Sequence, residues 1–314
     1  MVASNEQHPN EARQAVVVGL GTSSVDHLCV VARHPRLDGK QPLVHYEVQP
    51  GGQVPTALVA LQRWGVPTAY IGAFADDPGG VLVRGSLARE GVDIEAACNV
   101  SNTTQPVSVI LIDQVTGERS VLHQENRGLA EVELGPTARR KLVAARVALF
   151  DAVDLPRTIE AAALVQQAGG LVVLDVDRPQ PRIEELLRMT DVLITATEFP
   201  LRLTGLDSLP KALEAASALG PWFVAATLGP GGALAYVRGK EYFVRGYPVR
   251  AVDSTGAGDV FHAGCIFGLL HDWPVERTLR FAAAAAALKC RKIGGRPGIP
   301  SVEEASQLVG EPLA

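Results

Sequence analysis

From about residue 66 the chain alternates short β-branched, apolar runs with helix-period segments, and this alternation constrains the fold more than any other feature. Residues 68–72, 146–150, 171–174, 191–195 and 222–227 are strand-like. Between them, residues 80–89, 156–168 and 210–219 have helical spacing, and Glu198 opens a further helix. Pro156 stands in a first turn, and Gly169 and Gly220-Pro221 close helices. Strands without a polar face need cover on both sides. The pattern therefore predicts an α/β fold: a doubly wound, mostly parallel sheet with helices on both faces. In such sheets ligands bind at the carboxyl ends of the strands. Residues 15–21 form one more strand of this kind.

Two stretches break the rhythm. Residues 27–50 and 103–125 are rich in Val, Ile and Thr, lack a helix period, and carry turn signals at Asp38-Gly39 and Thr116-Gly117. Residues 107–112 and 120–123 are predicted to pair about the second of these turns. The two stretches together suggest a small sheet projecting from the body. Residues 233–238 and 241–244 flank Gly239-Lys240 as a two-residue hairpin with Gly at its first central position. Gly51-Gly52 precedes a helix over 54–64 that Gly65 stops. Residues 275–289 are filled with alanines and are expected to pack closely on a neighbour. Residues 1–14 look like a loose polar tail. No internal repeat or linker is visible, so one domain over 1–314 is expected.

Composition excludes several classes. The net charge is −5 and no basic block stands out, which argues against nucleic acid and anionic membrane as partners. Aromatics are 5% of residues, too few for base-stacking platforms. No apolar run reaches the roughly 18 residues of a membrane span. Cys29, Cys98, Cys265 and Cys290 form no CxxC and no metal spacing, and are expected to be buried reduced thiols. With no apolar leader in the tail, a cytoplasmic protein is expected. Gly19-Leu20-Gly21 suggests a dinucleotide site, but Ser24 stands where the third glycine belongs and a strand follows where a helix is needed. A GxxxxGK[ST] loop is also missing.

The chemistry gathers at Asp253-Ser254-Thr255-Gly256-Ala257-Gly258-Asp259, where a loop turns into an apolar helix. Amides at a helix start lack intrahelical partners, the dipole adds positive charge, and glycine lets the backbone approach a ligand. This makes an anion hole of Gly256, Ala257 and Gly258. A carboxylate beside such a hole repels a phosphate, so Asp259 is suited to taking a proton from a hydroxyl that attacks phosphorus. The same spacing also suits a glycine turn capping a core helix. Likewise Thr227-Leu228-Gly229-Pro230-Gly231-Gly232 could admit a nucleotide or simply turn the chain.

The 253–259 motif resembles the C-terminal signature of the ribokinase-like sugar kinases, the phosphofructokinase-B family, with Cys265 as a departure where an aliphatic residue is usual. The resemblance runs from residue 15 to about 300. It implies an ATP-dependent kinase acting on a primary hydroxyl of a small sugar or polyol, with Asp259 as base and a β lid made of the two odd stretches. It puts Asp26, Gly51, Gly52 and Thr56 at the sugar, Thr56 replacing a usual Asn. It puts Thr227, Gly229, Gly231, Gly232 and Lys289 at the nucleotide. Glu198 stands at the Glu of an Asn-x-x-Glu motif that acts on Mg2+ through water, Thr195 replacing the Asn. Asp253 and Thr255 match positions that help bind K+, with carbonyls of the 292–297 turn. Separately, the apolar lid strands with free edges lead to an expected homodimer through the lid. A nucleoside kinase or a non-catalytic sugar-binding regulator of the same fold remains as an alternative. Asp175, Asp177 and His123 receive no role.

Overall fold

A run such as Val17-Val18-Gly19-Leu20 has no polar side chain to show to water, so it is stable only where helices cover both faces. The computed structural model, which describes residues 16–124, 126–130 and 132–310, places it there. In chain order, β1 (Val17–Leu20) is followed by β2 (Ser24–Val31) and β3 (His45–Gly51). The helix Gln53–Arg63 leads to β4 (Thr68–Ile71) and the short β5 (Ala73–Ala75), and the helix Pro78–Arg89 to β6 (Cys98–Val100). Next come β7 (Val107–Asp113) and β8 (Arg119–Gln124). Then β9 (Val147–Phe150), β10 (Leu171–Asp175), β11 (Val192–Ala196) and β12 (Phe223–Thr227) alternate with helices. Last are β13 (Ala233–Val237), β14 (Lys240–Val244) and the helices Ala257–Leu270, Val275–Lys289 and Val302–Val309.

The main sheet has eight strands in the order β14-β13-β12-β11-β10-β9-β1-β4. The strands from β12 to β4 run parallel, while β13 and β14 are antiparallel additions at one edge. One face is covered by the helices bearing Leu58 and Phe261, the other by those bearing Val165 and Leu213. The fold is thus the doubly wound α/β arrangement expected.

The alanine-rich helix Val275–Lys289 does pack closely. A Cβ on Gly264 would lie 2.6 Å from Ala282 Cα, and one on Gly268 would lie 2.5 Å from Thr278 Oγ1. Two helices meeting at glycine can approach nearer than their side chains otherwise allow. This contact holds the start of Ala257–Leu270 firmly under the ends of the strands.

A separate four-stranded sheet, ordered β3-β2-β7-β8, forms the lid. Strand side chains alternate between faces. The register aligns Gln49, Asp26, Ser108 and His123 as one cross-strand row. Leu28 and Ile110, two residues further along, lie on that same face beside Ile293 of the main body, so this face is the inner one.

Three expectations need correction or fall outside the description, and one turn is found as expected. The last hairpin turns at Arg238-Gly239, not Gly239-Lys240. Val237 pairs with Lys240, and both turn residues have positive φ (49° and 82°), as a type I′ turn demands. The chain does turn at Asp38-Gly39, where the Gly39 N–H donates to Arg36 O at 3.0 Å and Asp38 has φ 60°, within the 32–44 connection between β2 and β3. All four thiols are free, but only Cys29 and Cys265 are buried; Cys98 and Cys290 are half-buried, beside strand or helix ends. The tail over 1–14 lies outside the described residues.

Candidate active site

The Ala257–Leu270 helix begins at Gly256 in the left-handed conformation, φ 78°. A Cβ there would sit 2.8 Å from both Cα and O of Gly295, so only glycine fits. The Ala257 N–H closes the turn onto Ser254 O at 3.2 Å. Among the described residues nothing accepts the N–H groups of Gly256 and Gly258. Two amides at a helix start therefore remain available to an anion.

The loop before them is tied down by Asp253, which is fully buried. Its Oδ1 accepts the Thr255 N–H at 2.8 Å and its Oδ2 the Gly294 N–H at 2.7 Å. Lys289, expected at the nucleotide, is 0% exposed and donates from Nζ to the Asp253 carbonyl at 2.9 Å. Burial pushes its pKa down, and Asp253 pulls it back up. Its place is beneath the loop rather than at a surface that a nucleotide could touch. Thr255 Oγ1 is buried without a partner, an orphaned oxygen next to the Asp253 carboxylate.

The sugar-side residues come together. Asp26 is 7% exposed, and Ser24 Oγ donates to its Oδ1 at 2.8 Å. A Cβ on Gly51 would stand 2.1 Å from Asp26 Oδ2, so the glycine makes room for the carboxylate. Gly52, at φ 103°, caps the helix on which Thr56 is buried, and its carbonyl accepts the Thr56 N–H. Burial raises the pKa of Asp26, while Ser24 and the nearby Arg296 hold it down.

Arg296 is 4% exposed and joins the two halves of the site. Its guanidinium donates to Ser86 Oγ at 2.9 Å and to Gly51 O at 3.3 Å. Burial pushes its pKa down to about 10, with Asp26 first and Asp259 last among the charges acting on it. Within the same 292–297 turn, Gly294 packs on Gln49, and Gly295 touches both Gly256 and Thr56. The free amides of the Gly256 loop and the cluster expected at the sugar therefore share one turn.

Asp259 is half-buried at the mouth of the hole. Desolvation and the neighbouring Asp175 push its pKa up to about 8, against His262 and Arg119. Asp175, at the end of β10, is raised well above the usual carboxylate range by burial, Asp177 and Asp151. Gln53 Nε2 donates to Asp175 at 3.3 Å and to Asp177 at 3.2 Å. This acidic group faces a cation brought by the lid, Arg119 on β8.

On the nucleotide side, Thr227 ends β12 and its carbonyl accepts Thr197 Oγ1 at 3.0 Å. Beyond it Gly229 and Gly231 are exposed, while Gly232, at φ 104°, is buried against the Val244 carbonyl. Glu198 is at the start of its helix, as expected, and pairs with Arg202 at 2.7 Å. Thr195 Oγ1 is buried nearby without a partner. Among the described residues no group of three or more His, Cys, Asp and Glu could hold a metal alone. A metal here would take most of its ligands from water and phosphate, as magnesium does.

Arg119, Arg296, His262 and Asp175 were missed as site residues. Arg119 had one available signal, an arginine two residues past the Thr116-Gly117 turn of the lid hairpin. The others are buried by packing that no local pattern displays.

Free amides at a helix start, a raised carboxylate beside them and a hydroxyl acceptor across one shared turn are the requirements of phosphoryl transfer to an alcohol. They define the chain as a kinase of small-molecule alcohols. It belongs to the pfkB family carbohydrate kinases, whose model matches residues 13–302. It is an ATP-dependent sugar kinase. It is 28% identical over 293 residues to the ribokinase of Haemophilus influenzae, covering 91% of this chain and 95% of that protein. It is 31% identical over 302 residues to an ATP-dependent ribose-1-phosphate kinase of Halopiger xanaduensis, covering 94% and 98%. The ribokinase of Arabidopsis thaliana, solved with ribose and ATP, has the same fold at TM-score 0.80, with 24% identity over 94% of this chain and 98% of that one.

Proposed function

We propose that the chain transfers the γ-phosphoryl group of ATP to a primary hydroxyl of a small sugar or sugar-like polyol, with Asp259 as general base. The observation that carries this is the pairing of free Gly256 and Gly258 amides with a carboxyl group whose pKa is pushed up to about 8. A base poised near the working pH is an effective proton acceptor. The sugar hydroxyl gives its proton to Asp259 as its oxygen bonds to the γ-phosphorus. The bond from that phosphorus to the bridging oxygen breaks, and ADP leaves with the electron pair. The free amides of Gly256 and Gly258 hold the charge on the transferring group, while the Ala257 N–H closes the turn between them. Asp26, Gly51, Gly52 and Thr56 orient the sugar.

Thr227, Gly229, Gly231 and Gly232 hold the nucleotide. Lys289 supports it indirectly, by fixing the Asp253 carbonyl. Magnesium on the ATP phosphates would offset charge on the leaving group, with Glu198 reached through water. A monovalent cation fits beside Asp253 and the orphaned Thr255 hydroxyl, and equal turnover in K+ and in a large organic cation would remove that assignment. The chain acts as one kinase domain with its lid over 27–50 and 103–125, as a cytoplasmic homodimer. A sugar is favoured over a nucleoside because Tyr46, the lid aromatic that could stack on a base, is on the face away from Asp26.

The test is an ADP-release assay over pentoses, hexoses, phosphorylated sugars and nucleosides, run on wild type and Asp259→Asn. Loss of a general base lowers kcat by about 10²–10⁴. Sugar affinity measured by calorimetry should barely change. An Asp259→Asn enzyme with near wild-type kcat would overturn the assignment.

A further inference from the structure

His262 lies one helical turn beyond Asp259 and is 3% exposed. Its Nδ1 is 2.8 Å from the Gly258 carbonyl oxygen, and its Nε2 is 3.0 Å from the Ile194 carbonyl oxygen. Asp175 Oδ1 is 3.5 Å from the same Nε2. A carbonyl oxygen only accepts, and a neutral imidazole has a single N–H. Either neutral tautomer would set a bare nitrogen lone pair against a carbonyl oxygen, at 2.8 or 3.0 Å. The imidazolium alone donates at both ends.

Acidic groups face the ring from two elements. Its own helix presents Asp259; the end of β10 presents Asp175 and, just beyond, Asp177; β11 presents only the Ile194 carbonyl. Arg119 acts on Asp259 from the lid. Burial sets the ring's pKa below the ordinary imidazole value, and the two carbonyls, Asp259 and Asp177 offset this only in part. The geometry decides for the charged form, because either neutral tautomer would set a nitrogen lone pair against a buried carbonyl oxygen.

We propose that His262 is a buried imidazolium that keeps Asp259 in its proton-accepting form, which makes it a positioning residue for phosphoryl transfer. This rests on the reading of Asp259 as base. The imidazolium keeps its own proton throughout. Its Nδ1–H also fixes the peptide unit that joins Gly258 to Asp259, at the edge of the anion hole. The sugar's proton goes to Asp259, whose carboxylate form is disfavoured by burial and Asp175 and favoured by His262.

Two measurements on the full chain test this. In ¹⁵N-histidine-labelled protein at pH 7.5, one histidine should show both ring nitrogens protonated, and its signals should vanish in His262→Gln. A neutral tautomer at that position overturns the proposal. In pH profiles of kcat, His262→Gln should move the acid limb up by about one pH unit, since a cation beside Asp259 is lost. Asp175→Asn should move it down, since an anion is lost. A role confined to packing would lower kcat at every pH and leave the limb in place, which also overturns it. If His262→Gln does not fold, the wild-type spectrum and the Asp175→Asn profile still decide. Failure of the base assignment is distinguishable, because Asp259→Asn would then keep its turnover whatever the spectrum shows.

Discussion

Arg119 at the start of β8 and Ser254 in the loop before the anion hole are joined by bonds running both ways between their segments. Arg119 Nη1 donates to the Ser254 carbonyl at 2.9 Å and to its hydroxyl oxygen at 3.0 Å, while the Ser254 N–H donates to Gly117 O at 3.1 Å. Ser254 lies two residues before Gly256. The lid hairpin is thereby joined to the loop that carries the anion hole, and it brings a cation into the field of Asp259.

Arg119→Gln should therefore damage catalysis more than stability. Hydrogen bonds to a charged group contribute about 1.5–3 kcal/mol, so kcat should fall by roughly 10–100-fold. Arg119 is exposed, and exposed charge contacts add less than about 1 kcal/mol to stability. The melting temperature should hardly move, and the sugar KM should stay near the wild-type value. Steady-state kinetics showing unchanged kcat would refute the coupling.

Asp26→Asn tests the opposite side of the cleft. The carboxylate accepts from Ser24 and has Ser108 and His123 in its cross-strand row, so its other lone pairs point to where sugar hydroxyls can donate. Such bonds form to bound sugar in both ground and transition states. The sugar KM should rise by about 10-fold or more, the ATP KM should stay within about twofold, and kcat should fall less than in Asp259→Asn. A variant with unaltered sugar KM and a collapsed kcat would reverse the two roles.

These two residues also show how much was legible beforehand. Asp259 is marked by a local pattern, a glycine-rich helix start, whereas Asp26, inside β2, is singled out only by the family resemblance. The doubly wound sheet was visible because fully apolar strands and capped helices carry their own punctuation. Asp175 is legible as a strand-end carboxylate without a role, whereas Arg119, Arg296 and His262 are not visible. Their roles depend on which strand end or turn comes to lie opposite, a matter of packing between segments far apart in the chain. Lys289, put at the nucleotide by the resemblance, is the last residue of its helix and is fully buried under the Asp253 loop. The Arg238-Gly239 turn was shifted by one residue because the β13–β14 register is set by which face is buried, Val237 pairing with Lys240.

The outer face of the lid supports a dimer. Tyr46, Val48 and Leu122 are 51%, 39% and 63% exposed and lie on the face opposite Asp26, with the β3 and β8 edges unpaired among the described residues. Exposed apolar sheet faces with open edges tend to be covered. Light scattering at micromolar concentration should give twice the chain mass, and Leu122→Glu should give the monomer. A wild-type monomer at that concentration removes the idea.

The last prediction concerns pH and stability together. The Asp259 pKa is pushed from the ordinary carboxylate value of 3.8 up to about 8 by burial and Asp175. The folded state therefore binds a proton at this site that the unfolded chain releases between those two values. The stabilisation is fully present below about pH 4 and is lost as pH rises through 8. Activity runs the other way, because a base must be ionised, so kcat should climb toward pH 8 as the site's contribution to stability declines. Asp259→Asn cannot ionise. Its melting temperature should fall less than that of wild type between pH 6 and 9, and the two curves should separate most at the alkaline end. Parallel melting curves across that range would mean that Asp259 is not the group whose ionisation the fold resists.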